Sequence, residues 1–174
     1  FGYFNAFQDS DGYIRKTKLF VRYGLLLSQS LALRTYSVLR QGYPTAYFEV
    51  DPNNPNSKMF AELRITDPET DAVIDKIPLD GKGNLYINYY GPQMTFPHMS
   101  AAELLNGKET AKILKRTNGK EQELEVNKKE YLKDKSIFLG ATATGIYDLR
   151  VTPFQENFPG LETHANILEN IMSK

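Results

Sequence analysis

The sequence predicts an α/β fold, a single domain with a mixed β-sheet and flanking helices. Two patterns carry that expectation. Short runs of alternating or β-branched residues bounded by turn signals recur between Ile14 and Tyr90, the mark of strands. Residues 28–40 and 161–172 instead repeat apolar side chains at helical spacing. The length, 174 residues, fits one domain, since domains cluster at roughly 100–200 residues. An apolar fraction of 41% with 12% aromatics excludes general disorder.

In chain order, Asp9-Ser10-Asp11-Gly12 reads as a turn, with aspartates capping local N–H groups and glycine accepting positive φ. Ile14 to Tyr23 alternates like a half-buried strand, with Thr17, Leu19, Val21 and Tyr23 on the inner side and Lys16, Lys18 and Arg22 on the outer. Residues 28–40 form a helix with Leu31, Thr35, Val38 and Leu39 along its stripe. Ser28 or Ser30 is its N-cap, and Gly42 with Pro44 stops it. Asp51 to Asn56 is a Pro/Asn-rich loop between two short extended runs. Met59 to Thr66 and Ala72 to Leu79 are strands separated by a turn at Asp67-Pro68. The tight turn 80–84 leads into a strand at Leu85 to Tyr90, dense in β-formers.

Ser100-Ala101-Ala102-Glu103 is a capping box opening a short helix that Gly107 ends. Residues 108–135, rich in Lys and Glu, read as a solvated helix plus a small hairpin at Asn118-Gly119. Ser136 to Leu139 is continuously apolar, as a strand buried on both faces would be. The last helix follows Pro159-Gly160, with Leu161, Ala165, Leu168 and Met172 as its stripe and Glu162, Glu169 and Asn170 off it.

Charge and composition remove several functions. Lys+Arg and Asp+Glu both number 21, so there is no basic excess for phosphate contacts, and nucleic acid is not an expected partner. Without cysteine, disulfides, thiolate metal sites and Cys nucleophiles are excluded. No apolar run reaches the roughly 18 residues a membrane span needs. Gly140-x-x-x-x-Gly145 lacks the Lys-Ser/Thr of a phosphate loop, having Ile146 and Tyr147 instead, and reads as a closely packed backbone turn. Asp9-x-Asp11-Gly12 fails as a calcium loop, because Phe7 and Lys18 would fall on ligand positions. The only histidines, His98 and His164, lie far apart in sequence and in no zinc motif. No metal, cofactor or catalytic residue is expected. The candidates for ligand contact are polar groups: Asp9, Arg15, Asp148, Arg150, Thr152, His164 and Asn166. Asp148 and Arg150 could equally tie down their own loop, and His164 could be an ordinary packed histidine. The loop after the Leu139 strand is favoured because ligands bind at strand ends in α/β folds.

Taken together, the motifs resemble the CHASE sensor domain of the second type, a cyclase/histidine-kinase-associated sensory extracellular domain. The resemblance rests on Ile137 to Ala143, Asp148, Thr152-Pro153, Pro159-Gly160 and His164-Ala165-Asn166. Upstream it includes Ile77 to Asp80, Gly83 to Pro92, Asn5, Asp9-x-Asp11-Gly12, Arg15 and Ser30-Leu31-Ala32. The family's N-terminal third has no counterpart here, and residues 108–135 exceed the usual connection before Ile137. The resemblance implies a non-catalytic, extracytoplasmic input domain, periplasmic or at the cell surface. It would be cut from a membrane protein whose spans lie outside this chain, with an adenylate/guanylate cyclase, histidine kinase or diguanylate cyclase as output. It also implies a small-molecule or environmental stimulus and a homodimer. The chain begins at Phe1 without a signal sequence, which agrees with a fragment. The alternative is a secreted or periplasmic binding or adhesion module; an enzyme with an unusual site ranks third.

Overall fold

A computed structural model describes residues 2–5, 7–142 and 149–173. The α/β class holds, with the strands distributed over five small antiparallel sheets among these residues. By internal contacts the chain divides into two units, Phe1–Asn88 with Asn166–Lys174, and Tyr89–Ala165.

The first unit opens with the Asp9–Tyr13 turn, closed by hydrogen bonds from Asp9 N–H to Tyr13 O and from Gly12 N–H to Asp9 O. Gly12 has φ 85°, as a left-handed turn position favours. The expected strand at Ile14–Tyr23 is two strands, β1 (Lys16–Lys18) and β2 (Phe20–Tyr23), parted at Leu19, which is fully buried. β1 pairs with β7 (Asn84–Tyr86), while β2 turns through Gly24-Leu25 into β3 (Leu26–Gln29). The inner side therefore holds for Thr17 and Leu19 and fails for Tyr23, which projects outward. Changing pairing partner at Leu19 breaks the alternation, because each ladder sets its own buried face.

Ser30 caps α1 (Leu31–Leu39), its hydroxyl accepting from Leu33 N–H at 3.2 Å. The buried stripe is Ala32, Leu33, Tyr36 and Ser37, whereas Val38 and Leu39 face outward. The stripe is rotated from the expected one: Leu33 and Tyr36 supply its bulk, with the small Ala32 and Ser37 beside them. β4 (Tyr43–Asp51) and β5 (Asn54–Thr66) make one long hairpin. The supposed loop shrinks to Pro52-Asn53, with Asp51 accepting from Asn53 N–H, and Asn54 to Asn56 join the ladder. β6 (Val73–Ile77) completes that sheet, after a turn in which the Asp67 carboxylate accepts from Glu69 and Thr70 N–H. The apolar side chains buried in this unit include Ile14, Leu63, Ile65, Ile77, Leu85 and Ile87, with Ile167, Leu168 and Ile171 from the last helix. Asn170 fastens that helix to the chain after β7: its amide accepts from Asn88 N–H (2.8 Å) and donates to Asn88 O (2.9 Å).

The second unit contains β8 (His98–Met99), α2 (Ala101–Leu105), β9 (Thr110–Thr117), β10 (Lys120–Asn127), α3 (Lys128–Leu132), β11 (Leu149–Arg150), β12 (Phe158–Pro159) and the start of α4 (Gly160–Met172). Ser100 caps α2 through Glu103 N–H. The Glu103 carboxylate turns instead to Lys112 N–H, so only half of the expected box is present. Residues 108–135 hold a longer hairpin than expected, β9–β10, turning at Asn118 and Gly119 with φ 52° and 76°. Both central residues left-handed is the tight-turn geometry whose twist matches its strands. The expected solvated helix is reduced to the five residues of α3. Residues 136–142 form no strand, and Ile137 and Leu139 are 60% and 85% exposed. The expectation of a doubly buried strand there is overturned: apolar character alone cannot bury a segment that has no ladder neighbour.

Candidate functional site

Two features could serve recognition, one in each unit. In the first unit, the turn 80–84 docks against β5, with Phe60 N–H donating to Gly81 O at 3.0 Å. Gly83 makes this approach feasible. Its φ is 76°, and a Cβ there would sit 3.3 Å from the Phe60 ring. Between turn, hairpin and β7 lies an open groove of about 700 Å³, lined by Phe48, Phe60, Met59 and Tyr86 alongside Lys16, Lys58, Lys82, Asp51 and Asp80. Phe48 and Phe60 are cross-strand partners in edge-to-face contact, 5.4 Å between centroids. Phe48 and Tyr86 are 56% and 65% exposed, although aromatic rings normally supply buried surface.

The groove's acids are already occupied. Burial pushes the Asp80 carboxyl up, but hydrogen bonds from the Asn84 side chain and from the Asn84 and Lys82 N–H groups outweigh it and hold the group below its ordinary value. Its backbone is used too, Gly83 N–H donating to Asp80 O and Asp80 N–H to Asn84 O. Lys18 Nζ fixes the same turn through Lys82 O at 3.0 Å.

Beside the groove, Lys16 bridges to a charged cluster. Asp9 accepts from Lys16 at 3.0 Å and from Arg15 at 3.3 Å, and Arg15 pairs with Asp11 at 2.8 Å. The Lys16 ammonium, with Arg15, holds the Asp9 carboxyl below its usual range; Arg15 and the Tyr13 N–H do so for Asp11. The structure thus brings together two of the sequence candidates, Asp9 and Arg15.

In the second unit the organising group is Glu162, in the first turn of α4 and only 3% exposed. Its carboxylate accepts from Met94 N–H (2.9 Å) and Phe96 N–H (3.1 Å), and His98 Nε2 lies 3.3 Å away. Met94 has φ 67°, a left-handed conformation costing roughly 1–2 kcal/mol in a non-glycine residue. Arg116 completes the clamp: its N–H donates to Met94 O at 2.7 Å and its Nε to Gln93 O at 3.1 Å. Sequence reasoning placed Glu162 off the buried face, and the structure reverses that. Hydrogen bonds from the Met94 and Phe96 N–H groups, with His98 beside them, help a carboxylate tolerate such burial.

The remaining candidates have structural settings. Arg150 lies in β11 opposite Phe158. Thr152 is buried and closes a turn, its N–H and hydroxyl both donating to Gln155 O. His164 and Asn166 are buried along α4, and Asp148 lies outside the described residues. Residues 136–142 form no strand, so the loop after Leu139 does not follow a strand end of the kind at which ligands bind in α/β folds. Among the described residues no group of three His, Asp or Glu is placed to hold a metal ion, and no helix is long and apolar enough to cross a membrane.

A family model described as the CHASE2 domain matches residues 1–174. The chain belongs to the CHASE2 family. CHASE2 domains are extracellular sensory domains found typically in signalling proteins, and they are not catalytic; this chain is accordingly a sensory module and not itself an enzyme. The match to CHASE2 includes residues 108–135, the stretch that looked too long on sequence grounds. No curated protein and no solved structure matches the chain.

Proposed function

We propose that this CHASE2 domain is the extracytoplasmic input of a membrane-anchored signalling protein. In this reading it works as a homodimer, senses a small-molecule or environmental stimulus, and regulates a cytoplasmic output domain of the adenylate or guanylate cyclase type. The observation that carries the reading is the family match along all of residues 1–174. The neutral charge balance and an exposed aromatic groove support small-molecule rather than nucleic-acid recognition.

A ligand shifts an output only through differential interaction with two states of some element. The test therefore needs the full-length protein. Reporter fusions should place residues 1–174 outside the cytoplasm, and excising them should alter cyclase output or its response. Cytoplasmic placement, or an output unchanged by excision, would refute the proposal.

A further inference from the structure

We propose that the groove between the 80–84 turn and the β4–β5 hairpin binds a small organic monoanion with an aromatic body, an arylcarboxylate in chemical class. This names a ligand for the sensory reading and rests on it only for the signalling consequence; binding to the isolated chain stands or falls separately.

Volume sets the scale. At about 700 Å³ the groove lies within the roughly 300–1,000 Å³ of small-molecule clefts. Its apolar wall is aromatic, with Phe48, Phe60 and Tyr86 offering ring faces and edges to a flat body.

The polar complement fixes the sign of the ligand charge. Among the described residues neither Lys58 nor Lys82 forms an ion pair. The Asp80 carboxylate already accepts from Lys82 N–H, Asn84 N–H and the Asn84 side chain, and Asp51 accepts from Asn53 N–H. The uncommitted charged donors at this surface are therefore the Lys58 and Lys82 ammonium groups, with the Ser57 and Tyr86 hydroxyls beside them, while Asp80 and Asp51 already accept hydrogen bonds from the protein. A carboxylate answers that imbalance and a cation does not.

The same residues limit the ligand charge. Two aspartates in the lining repel a dianion. The 80–84 turn also has its Lys82, Gly83 and Asn84 N–H groups turned back on Asp80, leaving no nest of backbone donors such as phosphate sites use. A monoanion fits; a phosphate ester or a nucleic-acid strand does not.

The experiment uses the ¹⁵N-labelled 174-residue chain and three probes: 2-naphthoate, its methyl ester and 2-naphthyl phosphate. Naphthoate should shift the amides of residues 57–60, 81–84 and 86, and bind at least about fivefold more tightly than either other probe. Lys58→Gln with Lys82→Gln should weaken naphthoate by at least about fivefold while leaving ester binding and the melting temperature unchanged. Tyr86→Ala should weaken naphthoate and ester alike. The proposal is overturned by saturable naphthoate shifts confined to another surface, such as residues 149–152 or 126–135, or by no shifts at millimolar probe. Ester or phosphate binding equal to that of naphthoate, or an indifferent double lysine variant, overturns it as well.

Discussion

Replacing Glu162 by alanine should release the 93–96 segment, with a cost that can be worked out bond by bond. The carboxylate accepts two backbone N–H groups, at 2.9 and 3.1 Å. A hydrogen bond to a charged acceptor contributes about 1.5–3 kcal/mol. Met94 and Phe96 are only half-buried, so water recovers part of each bond, and deleting a buried charge returns some desolvation energy. The net loss is about 3 kcal/mol, close to a hundredfold in a local opening equilibrium. Strain adds to the direction: once the Met94 N–H is released, its backbone can leave φ 67°. Amide hydrogen exchange reads this residue by residue. In Glu162→Ala the Met94 and Phe96 amides should exchange about a hundredfold faster, while Leu63 and Ile65 in β5 are unaffected. Glu162→Gln keeps one acceptor oxygen and should fall between. Exchange at Met94 and Phe96 within about threefold of the parent would refute the clamp.

Gly83→Ala should cost about 1–2 kcal/mol through its left-handed φ, and it also crowds the Phe60 ring; a urea midpoint equal to the parent's would show that the turn does not dock as described. Asp9 and Asp11, held below the ordinary aspartate value by Lys16 and Arg15, should give carboxyl ¹³C titration midpoints below about 3.9. Because the folded-state value is depressed, their contribution to stability is present above the unfolded value and is lost as pH falls through the folded one. Lys16 is raised by the same pairing with Asp9, so its contribution holds below its unfolded value and is lost as pH rises through the folded one. Midpoints at or above the ordinary aspartate value would refute the cluster.

The turns and caps were the most legible part of the chain. Asp9–Gly12, Asp67-Pro68, 80–84, Asn118-Gly119 and the serines at 30 and 100 announce themselves because their chemistry is local: a side chain bonding the backbone beside it. Strand extents were less legible. Ala111 and Ile113 alternate in β9, as do Leu124 and Val126 in β10, but so many charges around them suggested a solvated helix. Ile137–Leu139 misled in the opposite way, apolar yet without a ladder. Glu162 could not have been found from its own neighbourhood, since its partners are amides of a distant loop and glutamates are seldom buried. The groove is equally silent in sequence: Lys58, Lys82 and Tyr86 come from three elements and form no motif. Its trace in the sequence is no more than aromatic residues on both strands of one hairpin, Tyr47 and Phe48 on β4 and Phe60 on β5.

The β9–β10 hairpin has a further consequence for how this chain behaves in a crowded surrounding. β10 is the edge of its sheet, and an edge offers unpaired backbone groups to any passing strand. Lys120, Glu121, Glu123 and Glu125 occupy half of its eight positions, so an identical neighbour aligned in register would set like charges against each other. Such a strand is a poor template for its own propagation. It keeps the sheet finite, and it leaves the protein free to carry exposed aromatic surface elsewhere without inviting growth along this side.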